Sequence, residues 1–245
     1  IASLAPGESE TLTLEYQLQV YPLKADFPVL TALSTTQVYY PAAYSPSLVS
    51  EPGRPWLEFE HWLEPAAKIE SDHPEIIERA EMLTAPVKSE LEKARAIYNF
   101  VKGHLRYDLY SPDRNQGALS ALRNANGVCE DYAALFVALC RAAGIPARQV
   151  NGYADPQGSS AAWELAPAET LSLKGCRHSW AEFYLEGAGW LPADPTLNIY
   201  EARLTYFASL PRASHLAQNY ADQSLRARFQ GGQLAVAWEE ELAER

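Results

Sequence analysis

No stretch of this chain approaches the roughly 18 consecutive apolar residues of a membrane-spanning helix, so none is expected. Cysteine is scarce. Three residues in 245 are too few, and odd in number, for a disulfide framework. Basic charge is in deficit, with 20 Lys and Arg against 31 Asp and Glu and a net charge of −11. Nucleic acids and anionic membrane surfaces are bound by clustered Lys and Arg, so neither partner fits. Metal-ligand spacings are missing too: there is no CxxC, no HxxxH pair and no acidic loop with calcium spacing. We therefore expect no metal and no other cofactor. Internal repeats and low-complexity segments are also absent. The single Met is Met82 and the first residue is Ile1. The expectation is a chain without its natural start, through processing or truncation, in a soluble and by preference cytoplasmic setting.

What is present is ordinary for a globular protein, with 47% hydrophobic and 21% charged residues and length for one or two domains. Thr11 to Val20 alternates apolar and polar residues at period 2, which predicts a half-buried strand. A second extended stretch runs over about 32–40. The four prolines Pro41, Pro46, Pro52 and Pro55 mark a loop, and 56–63 is a further candidate strand. Ser71 or Asp72 can cap a helix from Pro74 to Leu83. Lys88 to Leu105 carries Leu91, Ala94, Tyr98, Val101 and Leu105 on one stripe. Residues 110–118 are turn-rich. Cys129 to Ala143 repeats apolar residues at spacings of three and four and stops at Gly144. Beyond it we expect a strand over 147–153, a loop over 155–175, and a hairpin of Arg177–Leu185 with Trp190–Asp194 about Gly187 and Gly189. A second hairpin over 225–238 and an acidic, solvated tail from Glu239 complete the reading.

Three residues stand out chemically. Cys129 opens a helix, where unpaired N–H groups point at the sulfur and favour its thiolate. Cys140 lies about 16 Å further along that helix, a small core residue by its place on the apolar stripe. His178 shares a strand face with Trp180, Glu182 and Tyr184. The other histidines, His61, His73, His104 and His215, sit in polar or loop contexts. Asp194 ends the partner strand, so a hairpin pinned near residue 188 puts imidazole and carboxylate on neighbouring strands. Glu130 and Asp131 occupy a first helical turn, where carboxylates suit the dipole. Nucleophile, base and orienting acid are thus all available.

The segments GVCEDYAALFVALCRAAGIPARQVNGY (127–153) and RHSWAEFYLEGAGWLPADPT (177–196) resemble the transglutaminase-like superfamily, and KARAIYNFVKGHLRYD (93–108) resembles its lead-in. The resemblance covers about 70–200, closest to bacterial members described as cysteine proteases. It implies an α+β, papain-like core with N-terminal helices packed on an antiparallel sheet, and flanking β segments. The expected division is 1–65, a catalytic core over 66–204, and a 205–245 extension. Carried over, Cys129 is the nucleophile, His178 the general base and acid, and Asp194 the orienting residue. The implied reaction is acyl transfer on a peptide or protein substrate, by hydrolysis or by transfer to an amine; a non-catalytic binding module is the remaining alternative. The backbone N–H of Cys129 is one oxyanion donor. Tyr107, Gln116 and Asn126 are candidates for the second, and Trp180 for packing beside the site. Cys176, two residues before His178, could bridge to Cys129 under oxidation.

Overall fold

The computed structural model describes residues 60–154, 170–172, 175–186, 188–196, 206–208, 210, 215–220 and 241–243. The strands expected over 11–20 and 32–40 and the hairpin over 225–238 lie outside the described residues. Of the strand expected over 56–63, only 60–63 are described, and they are not extended: Glu60 is helical and 61–63 form a turn, with the Leu63 N–H donating to the Glu60 carbonyl at 3.0 Å.

Helix α1 spans Pro74–Thr84 and buries Ile76 and Ala80. Its cap is His73, whose Nδ1 accepts the Glu75 N–H at 3.3 Å, rather than Ser71 or Asp72. Helix α2, Glu90–His104, starts after Ser89, whose hydroxyl accepts the Glu92 N–H at 3.2 Å, and buries Ala94, Ile97, Tyr98 and Val101. A short helix α3, Ala118–Asn124, follows the turn-rich segment and was not expected. It has no side-chain cap; Gly117, at φ 102°, provides the entry. Helix α4, Cys129–Ala142, is buried over nearly its whole length and is the central helix of the core. Two-residue strands β1 (Arg106–Tyr107) and β2 (Asn126–Gly127) pair in parallel and tie the end of α2 to the start of α4.

The main sheet has four antiparallel strands in the order β6-β5-β3-β7. They are β3 (Ala147–Ala154), β5 (Arg177–Leu185), β6 (Gly189–Ala193) and β7 (His215–Tyr220). A single-residue side-chain alternation divides β5 between two environments. Ala181, Phe183 and Leu185 join the helical core, with Phe183 edge-on to Phe136 of α4 at 6.0 Å. Trp180 on the other face packs with Val150, Tyr206 and Leu210 in a second cluster. The same face holds a buried ion pair, Arg148 to Glu182 at 2.6 Å, with the Arg148 guanidinium 4.0 Å over the Trp190 ring. The α+β arrangement of helices on an antiparallel sheet is therefore as expected.

Two local expectations change. Strand β4 (Thr170–Ser172) lies within the expected loop, and β8 (Glu241–Ala243) lies within the expected solvated tail; they pair with each other antiparallel. Their periodicity is too short to register in sequence. Between β3 and β7 the register slips by one residue after Asn151. Asn219 faces Asn151 while Ala217 faces Gly152, so Gln218 is the extra residue of a bulge. Among the described residues no helix is long and apolar enough to cross a membrane.

Candidate active site

The site begins with a buried carboxylate that gathers backbone amides. Asp131, in the first turn of α4, is 1% exposed. Its carboxylate accepts four backbone N–H bonds: Asn115 at 2.7 Å, Val128 at 2.9 Å, Gln116 at 3.1 Å and Gly117 at 3.4 Å. The bond from Val128 satisfies the N–H of the helix N-cap, as an acidic third residue can. The other three draw the loop before α3 onto the head of α4. Gly127 leaves room for this, since a Cβ there would lie 2.6 Å from the Asp131 Cβ. The loop and the helix head are thus fixed together, and Cys129 is fixed with them.

Cys129 is 6% exposed, but its neighbours are polar. Its thiol donates to the Glu130 carboxylate at 3.1 Å. The Tyr107 phenol on β1 and the His178 ring on β5 are near enough to the sulfur for its charge to act on both. Burial, followed by the negative charge of Cys129 and Glu130, holds the Tyr107 phenol well above its ordinary value. Tyr107 is therefore a donor at neutral pH.

The hairpin delivers the other two groups. β5 and β6 pair with Ala181 opposite Ala193. Continued by one and three residues, that register sets Trp180 opposite Asp194 and His178 opposite Thr196. Imidazole and carboxylate are then diagonal neighbours on one face, within reach of each other. His178 Nε2 lies 2.6 Å from Asp194 Oδ2, while the Thr196 N–H donates to Oδ1 at 2.9 Å. Because Nε2 is committed to the acid, Nδ1 is the ring nitrogen left for the thiol. Burial alone would lower the His178 pKa. The Asp194 charge and hydrogen bond, with a further part from Cys129, outweigh it and push the ring up to about 10. For Asp194, burial acts to raise the pKa, and the His178 and His215 contacts override it, so the carboxyl stays well below the usual range.

His215 was assigned above to a polar or loop context, yet it is a buried residue of β7. Its Nε2 lies 3.1 Å from the same Asp194 Oδ2, its ring 5.7 Å from that of His178 and edge-on to Trp180 at 5.0 Å. The donor atoms of His178, Asp194 and His215 lie within 4.8 Å of one another, compact enough to hold a metal ion. Sequence spacing does not bring His215 to this pair, since it comes from β7 while His178 lies on β5 and Asp194 just past β6.

The remaining candidates are dispersed. Trp180 is fully buried and stacks on His178 at 6.4 Å, so it packs behind the imidazole. The Asn126 side chain accepts from the Ser111 hydroxyl and donates to the Asn124 carbonyl at 2.9 Å. Gln116 is exposed and lines a surface cleft with Glu70 and Arg123, a lining that includes neither Cys129 nor His178. Cys176 precedes the first residue of β5 and is not bridged to Cys129.

A family model described as the transglutaminase-like superfamily matches residues 77–195. Among curated proteins, the chain is 40% identical over 81 residues to the protein-glutamine gamma-glutamyltransferase of Pseudomonas aeruginosa, covering 32% of this chain and 11% of that one. It is 32% identical over 113 residues to the kyphoscoliosis peptidase of Mus musculus, covering 44% of this chain and 16% of that one. The chain thus spans less than a fifth of either relative's length. The solved periplasmic domain of TgpA from Pseudomonas aeruginosa, with ethylmercury bound, is 25% identical with a TM-score of 0.42, covering 56% of this chain and 48% of that chain.

Proposed function

Residues 77–195 belong to the transglutaminase-like superfamily, and from that premise we propose that the chain is a cysteine-dependent acyl-transfer enzyme acting on amide bonds, with hydrolysis as its outcome. One observation carries the proposal: His178 Nε2 lies 2.6 Å from the Asp194 carboxylate, on a ring that also feels the charge of Cys129. In this reading the proton of the sulfur–imidazole pair rests on the ring, and the sulfur attacks the carbonyl carbon of a peptide or protein substrate. The Cys129 N–H, in a first turn the helix leaves unpaired, receives the oxyanion. Tyr107, kept as a phenol beside the sulfur, is the second donor. Collapse of the adduct breaks the C–N bond, and His178 hands its proton to the leaving amine. A thioester remains on Cys129. Water, deprotonated by His178, then releases the acid and returns the thiol. Asp194 keeps the ring aimed throughout.

A second reading replaces water by a primary amine. It is favoured by the similarity to a protein named for glutamyl transfer, while the similarity to a protein named as a peptidase favours the first. One experiment separates them. A glutamine-containing peptide is incubated with the protein, with and without a primary amine, beside Cys129→Ala. Release of ammonia or peptide fragments with no amine adduct, absent in the variant, is expected. Predominant amine adduct selects transfer. No Cys129-dependent product from a broad peptide library would leave a binding module and reject catalysis.

A further inference from the structure

Resting on the reading of Cys129, His178 and Asp194 as the reacting set, we propose that His215 is a positioning residue of this site: its Nε2–H fixes the Asp194 carboxylate through the same oxygen that His178 uses. Asp194 is fully buried, and its Oδ2 accepts from two imidazoles, His178 at 2.6 Å and His215 at 3.1 Å. Oδ1 accepts the Thr196 N–H at 2.9 Å. The two rings and one amide leave the carboxylate little freedom to rotate. A loosely held carboxylate would aim His178 less well at the sulfur, because orientation of the ring depends on the acid behind it.

Strand β7 is built to place this residue. Past the bulge, His215 faces Ala154 and Ala217 faces Gly152, which itself faces His178 across β3. Paired residues share a sheet face, so His215 and His178 lie on the same one. Without the extra residue Gln218, the pairing of Asn219 with Asn151 would continue to set Leu216 opposite Ala154, and His215 would turn to the other face. On the site face β3 presents Gly152 and Ala154, so nothing larger than a methyl group stands between the rings. The edge-on contact of His215 with Trp180, at 5.0 Å, sets the imidazole plane.

The test uses iodoacetamide, with labelling of each cysteine followed by mass spectrometry near neutral pH. Two variants separate hydrogen bonding from packing. His215→Phe keeps the ring against Trp180 and removes the donor. His215→Gln loses the ring and keeps an N–H at comparable reach. The expected result is alkylation of Cys129 slowed about tenfold in the Phe variant, as losing an outer hydrogen-bond partner commonly does, and close to the wild-type rate in the Gln variant. Cys140 is fully buried, so its protection certifies that each variant is folded. A Phe variant at the wild-type rate, or a Gln variant as slow as Phe, with Cys140 protected, overturns the assignment. A wild-type rate altered by dialysis against EDTA overturns it in favour of a bound ion. Wild-type Cys129 no faster than glutathione rejects the acyl-transfer reading itself, and the role of His215 with it.

Discussion

Two buried aspartates bracket the site, and they differ in what holds them. Asp131 accepts from four backbone amides, while Asp194 accepts from two imidazoles and one amide. Amide protons do not leave at any pH near neutral. A carboxylate surrounded by them is a rivet: it joins the loop at 115–117 to the head of α4 and has nothing to exchange. Imidazoles do titrate, so the second carboxylate is coupled to groups whose charge can change during a reaction. In the proposed reaction the same side chain, equally buried, serves architecture in one place and proton management in the other. Burial and a hydrogen-bond count would not separate them; the chemistry of the donors does.

Exchanging each acid should break the molecule in different ways. Asp194→Asn is expected to have the largest effect, a loss of about 10⁴ in kcat as in triads whose orienting acid becomes an amide, with the unfolding midpoint in urea little changed. Equal losses of activity and stability would mean that Asp194 is a rivet too. Asp131→Ala should do the converse. Orphaning the two buried N–H groups of Gly117 and Val128 at about 1 kcal/mol or more each gives a destabilisation on the order of 2 kcal/mol in urea unfolding. Cys129 in the fraction that stays folded should alkylate at near the wild-type rate. If that rate collapses while stability holds, Asp131 acts on the sulfur directly and the contrast fails.

The legible parts of this molecule are those governed by local pattern. The spacing of apolar residues and the stop at Gly144 mark α4, and the alternation in RHSWAEFYL marks β5 with the bounds Arg177–Leu185 observed. The hairpin register followed from one short turn, and with it the proximity of His178 to Asp194. Helix α3 escaped because it is seven residues long and starts from a glycine rather than a capping side chain. The Asp131 clasp escaped because its partners lie 14 to 16 residues back in the loop, and the carboxylate looked sufficient as a helix-dipole group. His215 escaped for a sharper reason. Its face depends on a bulge at Gln218, and a single inserted residue inverts every side chain beyond it. A histidine beside Ala213 and Ser214 reads as loop; only its strand partner shows that it points at Asp194.

The subtlest consequence of holding Asp194 with imidazoles is its response to pH. The folded His178 pKa is raised, from 6.5 to about 10, so its contribution to stability is fully present below 6.5 and fades as pH rises through 10. The Asp194 pKa is lowered, so its contribution is present above 3.8 and is lost as pH falls through the still lower folded value. The interaction between them therefore operates across a plateau bounded on the acid side by the carboxyl and on the alkaline side by the ring. Removing the ring should remove the alkaline boundary. The gap in unfolding temperature between wild type and His178→Gln is expected to be widest between about pH 4 and 6.5 and to narrow steadily toward pH 10. A gap for His178→Gln that widened with rising pH would mean that the ring sits neutral against Asp194 in the folded protein, and the proton would then belong to the sulfur rather than to the imidazole at rest.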